Sequence, residues 1–119
     1  MQLFLERQEP GELAISAWVA TEFSAALSTK VRTGHIDVPQ RSVSLAAFRR
    51  LMAESFVIFP VSDACYRVAG SFADQHSPGI RAGDALHLAI CAEHGATLCT
   101  LDRRLAHSGQ EVGVHTKLL

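Results

Sequence analysis

Residues 82–102, AGDALHLAICAEHGATLCTLD, carry the pattern from which the rest of the chain can be read. Ala85, Leu86, Leu88, Ala89, Ile90 and Ala92 surround most of a helix over 82–93, so this helix is expected to be buried on several sides rather than along one stripe. Gly95 is placed to end it, because glycine readily takes the left-handed conformation that closes helices. Ala96–Thr100 follows as a short apolar run of the kind that parallel sheets bury on both faces, and Asp102 then opens a brief helix.

Working outward, the same alternation of strand and helix continues. Upstream, Leu13–Ile15 reads as a strand, and Ser16 is a good cap for a helix that presents Val19, Phe23, Ala26 and Leu27 on one face and ends near Gly34. A second helix is expected from Pro39 through Leu45, Phe48, Leu51 and Met52, then a strand over Phe56–Phe59. Ser62 or Asp63 opens a third helix with Cys65, Val68, Ala69 and Phe72 inward, which stops before Pro78. Downstream, a last strand is expected near Val112–His115, while Met1–Glu9 looks like the tail of a helix. Strands that alternate with helices favour a parallel α/β sheet with helices on both faces.

The 119 residues suffice for one core and are too few for two, which gives a single domain over 1–119. The chain is 48% apolar and 19% charged, without the roughly 18 consecutive apolar residues of a membrane span. A soluble protein is expected. Cys65, Cys91 and Cys99 lack the paired spacing of a disulfide framework, and Glu6 and Arg7 come too early for a signal peptide, so the expected compartment is the cytoplasm. A net charge of −1 supplies no broad attraction for nucleic acid; binding would need a local basic patch or a bound cation. No phosphate-loop, dinucleotide or serine-hydrolase glycine motif occurs.

Three acids stand out by position. Asp84 lies in the first turn of the apolar helix, where the helix dipole alone favours an acid by under about 1 kcal/mol. Glu22 sits at the edge of the Val19–Phe23–Ala26 stripe and so near the interior, although a solvated edge position explains it as well. Asp102 follows the 96–100 strand, where parallel sheets open a ligand crevice, and is equally an ordinary helix cap. Clustered carboxylates are the donor set for Mg²⁺ or Mn²⁺, which supports metal-assisted phosphoryl hydrolysis. His87, Cys91 and His94 follow Asp84 at helical spacing and raise a zinc reading, but without a paired-histidine or CxxC partner motif. The remaining histidines form no arrangement with a nucleophile.

Ser16–Leu27, SAWVATEFSAAL, then Gly83–Ala92, GDALHLAICA, then Thr97–Leu105, TLCTLDRRL, resemble the PIN domain, and within it the VapC toxins of bacterial toxin–antitoxin pairs. The resemblance runs through nearly the whole chain. It implies a three-layer α/β/α sandwich with a mainly parallel sheet, and a ribonuclease in which four acids bind Mg²⁺ or Mn²⁺. The second, third and fourth match Glu22, Asp84 and Asp102, and Thr100 matches a hydroxyl position beside the site. By their closeness in sequence to these acids, Arg81, Arg103 and Arg104 are candidates for phosphate contact, Arg81 and Arg103 first, although arginines on helix surfaces usually serve solubility. The implied partners are an RNA substrate, a cognate antitoxin and a second copy in a homodimer.

One departure matters. Members of that family begin with a strand ending in aspartate, and this chain enters at the end of the following helix. The expectation is therefore a sheet without its central first strand, a site without its first acid, a destabilised chain, and cleavage that is weak or lost. The alternative is a catalytically inactive module that binds RNA or an antitoxin.

Overall fold

The computed structural model describes residues 2–9 and 11–119, which form two compact units. The N-terminal unit covers residues 5–60; the C-terminal unit covers residues 61–119 together with the chain up to Phe4. A short helix, α1 (Gln2–Glu6), fits the helical reading of the first nine residues, of which Met1 lies outside the described ones.

In the N-terminal unit, β1 (Ala14–Ser16) leads directly into α2 (Ala17–Arg32). The Ser16 hydroxyl accepts from the Val19 amide, satisfying one of the amides that a helix start leaves unpaired. α3 (Val38–Ser55) begins ahead of Pro39, because Asp37 and Gln40 form a reciprocal capping box at 2.7 and 2.8 Å. Proline inside the first turn fits, since its missing N–H would be unpaired there anyway. Phe23 and Phe48 stack with ring centroids 3.9 Å apart, and Arg41 donates to the Ser28 hydroxyl and the Ser24 carbonyl, so α2 and α3 are joined by apolar and polar contacts. β2 (Val57–Phe59) pairs parallel to β1 in the register Ala14 with Val57, Ile15 with Ile58 and Ser16 with Phe59.

In the C-terminal unit, α4 (Asp63–Asp74) packs along α5 (Ala82–His94). α4 buries Cys65 and Ala69, but Val68 is left 37% exposed rather than inward. α5 buries Ala85, Leu86, Leu88, Ala89 and Ile90; Leu88, with no exposed surface, contributes on the order of 1.5–3 kcal/mol. Ala92 lies outside that buried set. Gly95 closes α5 at φ +61°, where a side chain would be strained.

β3 (Leu98–Thr100), α6 (Arg103–Glu111) and β4 (Thr116–Leu118) complete this unit, with Leu98, Cys99 and Thr100 parallel to Thr116, Lys117 and Leu118. The last strand thus begins after the expected 112–115. Val112 caps α6, Gly113 turns at φ +83°, and Val114 is buried without strand pairing of its own. The architecture is α/β with parallel strand pairs and intervening helices, as the alternation implies. Among the described residues no helix is long and apolar enough to cross a membrane.

Candidate functional site

β3 ends at Thr100, and its hydroxyl accepts from the Asp102 amide at 3.0 Å, which fixes the turn from strand to helix. Asp102 is the N-cap of α6: Oδ1 accepts from the Arg104 and Leu105 amides at 2.9 and 3.2 Å. One carboxylate oxygen carries both bonds, so Oδ2 is not consumed by the cap. Asp84 stands half-buried in the first turn of α5, directly after the 79–81 loop.

These segments enclose a cleft of about 170 Å³ lined by Gly79, Ile80, Arg81 and Asp84 on one side and Asp102, Arg104, Leu105 and Ser108 on the other. By the same measure a single water needs only ~10–15 Å³, so the space takes several waters or an ion with its ligands. Two of the three expected acids therefore share one cleft with two arginines. Within this unit, among the described residues, no third His, Cys, Asp or Glu joins Asp84 and Asp102 in a metal-holding group. Glu22 belongs to the N-terminal unit, half-buried in the second turn of α2.

Of the arginines expected at phosphate, Arg81 and Arg104 line the cleft and Arg103 does not. Arg103 is the first helical residue of α6 and is exposed; the next residue, Arg104, is turned about 100° further round the helix and is the one on the cleft side. Its Nη2 donates to the Gly79 carbonyl at 3.4 Å. The cleft-lining Ser108 was legible only as the helical neighbour four residues after Arg104, a weak signal in a sequence.

The zinc reading is corrected by the same geometry. Among the described residues, His87, Cys91 and His94 form no metal-holding group. The His94 Nε2 lies 3.7 Å from Glu93 Oε2. The Cys91 thiol is pushed up to about 11, first by burial and then by neighbouring Cys99. The carboxylates of Asp84 and Asp102 are instead an all-oxygen donor set, which suits Mg²⁺ or Mn²⁺ with several waters retained.

A family model of the PIN domain matches residues 2–110. The chain belongs to the PIN domain family. PIN domains are generally nucleases and typically use divalent metal ions, so a hydrolase acting on nucleic acid is the activity that family membership supports. The crystal structure of FitAcB from Neisseria gonorrhoeae is similar at a TM-score of 0.68 and 17% sequence identity, covering 97% of this chain and 81% of that one. At that identity the likeness is one of fold, and it agrees with the PIN architecture. No curated protein matches the chain.

Proposed function

We propose that this PIN domain is a metal-dependent endoribonuclease, the toxin of a VapC-type toxin–antitoxin pair, working in the cytoplasm. The observation that carries the reading is the pair of carboxylates, Asp84 and Asp102, on two segments of one cleft. Glu22 is the third ligand by the resemblance of Ser16–Leu27 to VapC, and Thr100 supports the site by holding the Asp102 amide. Antitoxin binding and homodimerisation follow from the same resemblance. The three free cysteines are in keeping with a reducing compartment.

The two carboxylates of the cleft fit Mg²⁺ or Mn²⁺, with Asp84 and Asp102 as the residues to hold it and Glu22 added by the resemblance alone. When bound, such an ion supplies Lewis-acid stabilisation of the phosphate and eases deprotonation of the attacking water. The chain's own contribution is positional. The Thr100 hydroxyl, which accepts from the Asp102 amide, and the α6 amides fix Asp102 before any ligand arrives, so little is lost to ordering it. Asp84 is placed by the first turn of α5, a helix whose following residues are buried.

Two carboxylates in the cleft unit also suit a second reading, a PIN module that binds RNA or an antitoxin without cutting. Cleavage of a mixed RNA pool with Mg²⁺, Mn²⁺ or EDTA separates them, using Asp84→Asn and Asp102→Ser. Serine keeps the helix cap and removes the carboxylate, whereas Asp102→Ala also forfeits about 1 kcal/mol of capping. Metal-dependent cutting that disappears in Asp84→Asn and in a still-folded Asp102→Ser supports the nuclease. A folded wild-type chain that never cuts leaves the binding module.

A further inference from the structure

The cleft holds charges of both signs, and among the described residues its acids and arginines form no ion pair with one another. Asp102 spends Oδ1 on the α6 amides. Among the described residues, the Arg81 side chain makes no ion pair or hydrogen bond, and the Arg104 guanidinium makes only the bond to the Gly79 carbonyl, through one of its five donors. Gly79 is at φ +64°, and a Cβ there would meet Arg104 Nη2 at 3.5 Å, so the turn passes close against the guanidinium. That turn braces Arg104 across the cleft and leaves its other N–H groups available. Ser108, one helical turn on and 5% exposed, adds a hydroxyl to the same wall.

We infer that Arg104, rather than Arg103, is the positioning residue that seats a phosphate of a single-stranded nucleic acid against the two carboxylates, with Arg81 on the opposite wall. The charges support it: Asp84 and Asp102 would be balanced by a divalent cation when one is bound, which leaves two guanidiniums to meet the phosphodiester anion. Guanidinium is the suitable group, because its planar fork matches two phosphate oxygens at once. This inference rests on the nuclease reading for the role of the acids, but its test does not depend on cutting.

The test is binding of a short fluorescent single-stranded RNA in EDTA, over a range of KCl, by wild type, Arg104→Ala, Arg104→Lys and Arg103→Ala, each checked for folding by circular dichroism. Losing one phosphate contact on a single strand makes the slope of log affinity against log salt shallower by about 0.7. Arg104→Ala is expected to show that change with roughly ten-fold weaker binding. Arg104→Lys should recover the slope but not the affinity, and Arg103→Ala should lose less than Arg104→Ala.

Wild-type affinity and slope in a folded Arg104→Ala, or no RNA binding by wild type, would overturn the inference. If Arg104→Ala does not fold, Arg104→Lys decides: full wild-type affinity there rules out the fork. Cleavage assays on the same samples keep the two ideas apart. Metal-dependent cutting with Arg104-independent binding removes the phosphate seat alone, and Arg104-dependent binding without any cutting removes the nuclease alone.

Discussion

The Cys65 thiol donates to Glu93 Oε2 at 2.9 Å, so the start of α4 and the end of α5 are joined through one carboxylate. The Ser62 hydroxyl lies 2.7 Å from Oε1 of the same group. Both bonds favour the ionised form, and they hold the Glu93 carboxyl below its ordinary 4.5, Cys65 first and Ser62 second.

A carboxyl depressed in the folded state binds its proton more readily when the chain unfolds. Its stabilisation is therefore complete above the unfolded value near 4.5 and drains away as pH falls below it, through the folded value. Urea midpoints measured from pH 7 down to pH 3 are expected to fall for wild type in that acid window. Glu93→Gln should be less stable at pH 7 and show a flatter acid limb; an identical limb in the variant would mean that Glu93 does not contribute.

Thiol chemistry should sort the three cysteines. Cys99 is exposed, Cys91 is half-buried with its thiol held up to about 11, and Cys65 has 1% of its surface accessible. Since the thiolate is the nucleophile, alkylation with iodoacetamide at pH 8 should modify Cys99 first and Cys91 far more slowly. Cys65 should react only on unfolding. A mass-spectrometric time course in which Cys91 keeps pace with Cys99 would contradict this order.

Gly109 on α6 has no room for a side chain. A Cβ there would collide with Thr116 Cγ2 and come within 2.9 Å of Leu88 Cδ2. Neither neighbour yields easily, because Leu88 is fully buried and the Thr116 hydroxyl donates to the Ala106 carbonyl at 2.6 Å. Gly109→Ala is expected to cost about 1–3 kcal/mol, the usual range for overpacking. Thermal melts give the check, with an unchanged midpoint as the contrary result.

What the sequence revealed was mostly local. Ser16 before an apolar stripe, Ser62 before another and Gly95 after a third announce helix ends through chemistry confined to a few neighbouring residues, and the structure puts caps at all three. The last strand was misplaced because Val112, Val114 and their neighbours look like a strand by composition, whereas the paired residues Thr116–Leu118 include a lysine. The start of α3 was read from Pro39 alone, although the Asp37–Gln40 box that sets it lies within the same few residues.

The candidate site was legible in its acids and not in its walls. Asp84 and Asp102 stand at element starts, where position in a pattern gives them away. Gly79, Arg104 and Ser108 join them only through folding, and choosing between Arg103 and Arg104 requires knowing which face of α6 the 79–81 loop lies against. The bond from Cys65 to Glu93 spans a gap of 28 residues that no local pattern records.

The two strand registers also bear on the order in which the chain is assembled. Leu98 meets Thr116 after a single helix, whereas Ala14 must find Val57 across two. Bringing chain ends together costs about 0.6 kcal/mol more for each doubling of the loop enclosed. The 98–118 segment therefore has the easier search, and the turn that carries Asp102 belongs to the strand pair that closes with the smaller entropic handicap.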